Sequence, residues 1–83
     1  MAGNEWGRRI KAYRKLKGYT QVQFAQELGI SVSVIGEVER GTRKLHDELL
    51  EQITSVLGIS AEELAPDHEK HKYKNRRGDA RLI

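Results

Sequence analysis

The sequence predicts an all-α fold, with five short helices packed into one small domain. Three observations carry this. Glycine closes amphipathic stretches at Gly18, Gly29, Gly41 and Gly58, where a helix ends in a left-handed residue that glycine adopts without a Cβ penalty. Capping residues open the stretches that follow: Thr20-Gln21-Val22-Gln23 and Ser60-Ala61-Glu62-Glu63 read as capping boxes, and Ser31 is a good N-cap. Between these marks the apolar residues recur at helical spacing, and no stretch alternates at period two for long enough to form a strand.

Taken in order, the helices are expected at 5–17, 21–28, 32–40, 47–57 and 61–64. Each has a stripe to bury: Trp6, Ile10, Tyr13 and Leu16; then Phe24, Ala25 and Leu28; then Val34, Ile35 and Val38; then Leu50, Ile53 and Leu57. The run from Val32 to Val38 is the one β-prone segment, and its apolar spacing behind a capping Ser31 favours helix. After Pro66 the pattern dissolves into charged residues with little to bury, so the domain is placed at 1–65 and a basic, disordered tail at 66–83.

The 83 residues are 37% hydrophobic and 33% charged, which leaves room for one domain with a modest core. Cysteine is absent, which excludes a disulfide framework and a thiolate metal site, so the fold relies on packing. No apolar run approaches the about 20 residues of a membrane span. Met1-Ala2-Gly3-Asn4-Glu5 lacks the basic-then-apolar order of a secretion signal, and a cytoplasmic protein with no membrane partner is expected.

The net charge of +3 conceals an asymmetry. Up to Leu45, nine basic residues face four acidic ones; from His46 to Ala65 five acidic residues stand without a Lys or Arg; from Pro66 on, six basic residues face three acidic. Two readings of this are open: a polarised molecule with one side suited to polyanions, or ordinary solvated helix faces.

The segment from Thr20 to Gly41 has the helix-turn-helix plan: a short helix, a tight turn through Gly29 and a second short helix. Small Ala25 lets the two helices approach, and Ile30 fills the space under the corner. At this point a family resemblance becomes specific. The chain carries Arg14, Gly18-Tyr19-Thr20-Gln21, Phe24-Ala25, Leu28-Gly29-Ile30-Ser31, Ile35, Glu39-Arg40-Gly41, Leu50, Ile53, Leu57-Gly58-Ile59-Ser60 and Leu64. In this pattern it resembles the Cro/CI-type repressors of phages, the XRE family, over Ile10 to Leu64. It departs from the family at Leu45, where many members have proline, and at Thr54, where many have alanine.

The resemblance implies a compact five-helix lambda-repressor-like DNA-binding domain and a sequence-specific transcriptional regulator of double-stranded DNA, a repressor in bacteria or phage, associated with the nucleoid. It further implies a homodimer on palindromic half-sites about one helical turn apart. In such proteins the start of the recognition helix enters the major groove. At 100° per residue, Val32, Ser33, Gly36, Glu37 and Arg40 share the face opposite Val34, Ile35 and Val38, and these are the candidate base-reading residues. Val32 can pack on a thymine methyl, Ser33 can donate or accept, and Gly36 removes bulk. Glu37 has two readings, an acceptor from a cytosine amino group or a solvated acid held away from phosphate. With no Asn, Gln or Arg on this face except Arg40 at its end, DNA shape is expected to carry part of the specificity.

Phosphate contacts are expected from Thr20 and Gln21, Gln21 offering its side-chain amide together with helix-start N–H groups that stand unpaired, and from Thr42, Arg43 and Lys44 after the recognition helix. For the latter three an exposed polar loop is the alternative. By resemblance, Arg14 and Glu39 form a partly buried ion pair that ties the first helix to the recognition helix. Lys70, Lys72, Lys74, Arg76 and Arg77 add nonspecific phosphate affinity or simply stay solvated.

His68, Glu69 and His71 lack a further clustered ligand for a tetrahedral metal site, and His46 stands alone, so no metal is expected. No nucleophile is paired with a base and no phosphate loop is present; neither enzymatic activity nor a cofactor is expected. The rival reading is a protein-interaction module on the same fold, an antitoxin or anti-regulator, binding a regulatory protein through Leu49, Ile59, Leu64, Leu82 and Ile83, with a plain core role as the alternative for the first three.

Overall fold

The computed structural model describes residues 2–73, and among these it is all helical, with no strand. The helices are α1 (Ala2–Leu16), α2 (Gln21–Leu28), α3 (Val32–Arg40), α4 (Asp47–Leu57) and α5 (Ala61–Leu64), followed by a 3-10 helix, Asp67–Lys72. Bounds for α2 to α5 coincide with those expected, and most are set by local capping; α4 starts at His46 without a side-chain cap bond, and α5 ends at Ala65 without a glycine. Ser31 accepts from the Val34 N–H at 3.3 Å and Ser60 from the Glu63 N–H at 3.0 Å. Gly29 stands at φ 72°, a left-handed conformation that lets its N–H reach the carbonyls of Ala25 and Gln26.

The core gathers one face of each of α1 to α5: Ile10, Phe24, Ala25, Ile35, Val38, Leu50, Ile53, Leu57 and Leu64. Trp6, Tyr13, Leu28, Ile30 and Val34 pack against it while partly exposed. Leu16 does not join them and is 74% exposed. On α1 it lies about 120° from Ile10 at 100° per residue, whereas Arg14 lies about 40° away. Arg14, only 5% exposed, therefore takes the inward place expected of Leu16.

The crossing of α1 over α3 depends on Gly7. A Cβ there would stand 2.4 Å from the Glu39 carbonyl oxygen and 2.5 Å from that of Val38, so the end of α3 lies directly on the α1 backbone. Nothing in the sequence around Gly7 announces this contact, since a glycine inside a helical stretch reads only as a weak helix former.

The chain after Ala65 also differs from the tail expected. Pro66 is fully buried. As far as Tyr73 the segment folds back across the start of α1: Trp6 Nε1 donates to Glu69 Oε1 at 3.2 Å, and the Trp6 and Tyr73 rings meet edge-on with centroids 5.6 Å apart. Two cations close the end of α5, where helix carbonyls lack internal partners. Arg9 donates to the carbonyls of Leu64 (2.7 Å) and Glu63 (2.9 Å), and Lys70 Nζ to that of Glu62 (2.7 Å). Lys74, Arg76, Arg77, Leu82 and Ile83 lie outside the described residues.

Candidate nucleic-acid interface

The start of α2 is held by a complete capping box. The Gln23 N–H donates to Thr20 Oγ1 and the Thr20 N–H to Gln23 Oε1, both at 3.0 Å. Tyr19 leans on Phe24, with ring centroids 5.7 Å apart, and fixes how the chain enters the helix. At the corner Ile30 donates its N–H to the Ala25 carbonyl at 3.1 Å and rests on the core, so α3 leaves the turn in a set direction.

On α3, Ile35 and Val38 point inward while Val32, Ser33 and Arg40 are exposed. Helical side chains tilt toward the N-terminus of their own helix, so Arg40 reaches back along α3. Its guanidinium covers Gly36: a Cβ at that glycine would stand 3.1 Å from Arg40 Nη1. Gly36 is itself buried, and its lack of a side chain serves Arg40. The one guanidinium on this face is thereby drawn to its middle.

Glu37 is half buried and turned toward the loop after α3. Arg43 Nε donates to Glu37 Oε1 at 2.7 Å, and the Glu37 carbonyl accepts from the Thr42 N–H at 2.9 Å and from Thr42 Oγ1 at 3.2 Å. One glutamate thus organises the turn, and its charge is offset by a neighbour. Thr42, Arg43 and Lys44 are all exposed. The Glu37–Arg43 pair escaped the sequence reading, although residues six apart across a glycine helix end are close neighbours.

Behind this face lies a buried polar network. Arg14 Nε donates to Glu39 Oε2 at 2.6 Å, Arg14 Nη2 to Glu39 Oε1 at 3.2 Å, and Arg14 Nη1 to the Tyr19 carbonyl at 2.8 Å. Gln21 Nε2 adds a third donor to Glu39, at 3.0 Å from Oε1. Side-chain exposure of the pair is 6% for Arg14 and 3% for Glu39, so the fork-shaped contact is dry. It joins α1, α2 and α3. The Gln21 amide, expected to face outward, is bound into this network. Among the described residues no buried side-chain nitrogen or oxygen lacks a partner.

The residues of the rival reading are arranged differently. Leu64 is fully buried, and Leu49 and Ile59 pack against the core. They are occupied by the fold. His68 lies beside two carboxylates, 3.5 Å from Glu5 and 3.4 Å from Glu69, and among the described residues no group of three or more His, Cys, Asp or Glu is placed to hold a metal ion.

A helix-turn-helix family model, HTH_3, matches residues 10–64 of this chain. The protein belongs to the HTH_3 helix-turn-helix family. Among curated relatives, it is 58% identical over 66 residues to the uncharacterized HTH-type transcriptional regulator YazB of Bacillus subtilis, covering 80% of this chain and 96% of that protein. It is 32% identical over 68 residues to the regulator SinR of Bacillus subtilis, covering 81% of this chain and 61% of SinR.

Solved structures of the same architecture include the restriction-modification controller C.AhdI of Aeromonas hydrophila, with a TM-score of 0.73 at 30% identity, covering 76% of this chain and 96% of that one. A second is the master regulator for biofilm formation SinR in complex with DNA, with a TM-score of 0.67 at 35% identity, covering 71% of this chain and 95% of that one. The family match covers α2, the turn and α3 entire, the segment whose caps and corner are described above.

Proposed function

We propose that this helix-turn-helix protein is a DNA-binding transcriptional regulator that lays α3 in the major groove of double-stranded DNA and acts as a repressor. The observation that carries this is the exposed face of Val32, Ser33 and Arg40 on a helix fixed at both ends, flanked by the exposed Thr42–Arg43–Lys44 loop. A similar structure, SinR, is one seen with DNA.

In this reading Arg40, spread over Gly36, is the principal base reader, since a guanidinium can donate two hydrogen bonds to the O6 and N7 of a guanine. Val32 and Ser33 read the neighbouring steps. Glu37 holds Arg43 in place and keeps its own charge compensated near the phosphates. With its side-chain amide bound to Glu39, Gln21 contributes chiefly the backbone N–H groups at the start of α2, together with Thr20. Arg43 and Lys44 grip the flanking backbone.

Two copies bind as a homodimer on palindromic half-sites, about 34 Å apart along the duplex. In this reading the protein works in the cytoplasm, at the nucleoid. The test is the salt dependence of binding to a selected duplex. Each phosphate contact contributes about −0.9 to the slope of log affinity against log salt. Replacing Arg43 and Lys44 together by alanine is expected to flatten the slope by about 2; an unaltered slope would remove the loop from the interface.

A further inference from the structure

Between the C-terminal strap of residues 66–73 and the loop after α3 lies a cavity of about 350 Å³. Small-molecule sites measure about 300–1,000 Å³ and combine mostly apolar walls with a few convergent polar groups. This one has both. Trp6, Leu45, Leu50 and Tyr73 supply apolar residues to the lining, and Thr42, Arg43 and Lys44 supply polar ones.

Its charge selects the sign of the ligand. Glu69 is the one acid in the lining, and its carboxylate is engaged by Trp6 Nε1 at 3.2 Å, by Lys72 at 3.7 Å and by His68 at 3.4 Å. Lys44, by contrast, has no ion pair among the described residues, and Arg43 has only the half-exposed Glu37. An inorganic anion would satisfy the cations and leave the aromatic wall wet. An uncharged apolar molecule would leave the cations unused. The lining therefore matches a small organic carboxylate with an aromatic or branched apolar body.

Arg43 connects this cavity to the face of α3, because it is one of the lining residues and its guanidinium holds Glu37, at 2.7 Å. A carboxylate drawn to Arg43 and Lys44 competes with DNA phosphate for the same two charges. Antagonism of this kind is reciprocal, since the free energy coupling two ligands is shared between them.

We propose that the cavity between the strap and the α3–α4 loop is an effector site for a small aromatic or apolar carboxylate, whose binding withdraws Arg43 and Lys44 from DNA. The binding site stands on the cavity alone; its effect on DNA rests on the function proposed above.

Trp6 is the single tryptophan of the chain and lines the cavity, so its fluorescence reports occupancy directly. The full chain, without DNA, is titrated with 3-phenylpropionate, with its neutral analogue 3-phenylpropan-1-ol and with acetate. The carboxylate should give a saturable change, with alcohol and acetate at least about tenfold weaker, a difference of about 1.4 kcal/mol. Lys44→Ala, at an exposed position, should weaken 3-phenylpropionate while leaving the alcohol unaffected. No saturable signal, or equal affinity for acid and alcohol, overturns the site.

A second arm measures duplex binding with and without saturating 3-phenylpropionate, where a loss of at least about fivefold is expected, the low end of ordinary couplings. Unchanged DNA affinity with the site occupied overturns the effector role. Ligand-free protein that binds no duplex overturns the function proposed above, and the site is still decided by the first arm.

Discussion

The guanidinium of Arg40 lies over Gly36 and uses the space that a side chain there would fill, with Nη1 at 3.1 Å from an added Cβ. The two residues are one helical turn apart, so the contact follows from the backward tilt of helical side chains rather than from a distant partner. It turns a glycine in mid-helix, which would otherwise be a defect, into part of the proposed reading face.

Stability and specificity are therefore expected to separate in Gly36→Ala. Alanine gains about 0.5–1 kcal/mol over glycine in a helix interior, and the obstructing atom is the end of a flexible side chain. Urea unfolding should show stability unchanged or raised by up to about 1 kcal/mol, while the displaced Arg40 changes the base preferred at one position of each half-site. A bound-sequence profile identical to the parent's would remove Arg40 from the readers.

Opening the network behind the helix has the opposite balance. Glu39→Ala leaves Arg14 charged, dry and unpaired, and the loss of one partner of a buried pair costs about 3–5 kcal/mol. That is a large part of the 5–15 kcal/mol that holds a small domain folded. Glu39→Gln keeps an acceptor for Arg14 and Gln21 and should cost less. Thermal melts of the two variants, compared with the parent, check this order.

Gly7→Ala tests the closeness of α1 to α3. Its Cβ would press on backbone oxygens, not on movable side-chain ends, so α1 must shift bodily. The usual helix gain from alanine is outweighed by overpacking, which costs about 1–3 kcal/mol. A lower midpoint in urea is the expected outcome, and a higher one would show that the helices sit further apart.

Most of what is local in this fold is legible in the sequence. Thr20, Ser31 and Ser60 announce helix starts and Gly29, Gly41 and Gly58 announce ends, because each acts on backbone groups within a turn of itself. Both bounds of α2 and α3, the end of α4 and the start of α5 follow from them. Less legible is whatever depends on residues far apart in the chain. Trp6 and Glu69 are 63 positions apart, and nothing in the charged stretch after Pro66 announces that it folds back on α1. Leu16 reads as core by its chemistry, yet the inward place belongs to Arg14, whose partner Glu39 is 25 positions away.

The candidate interface shows the same division. Its outward face on α3 follows from helical periodicity and Ser31. The couplings that decide what the face offers, Arg43 to Glu37, Gln21 to Glu39 and Arg40 over Gly36, depend on side-chain directions that spacing leaves open.

Whether α3 reads double-stranded DNA is decided by selection of bound duplexes from a random pool at low salt, run in parallel for the parent and Arg40→Ala. The parent should enrich a palindromic sequence with a guanine preference in each half-site that Arg40→Ala loses. Absence of any duplex binding by the folded parent at low salt would contradict it.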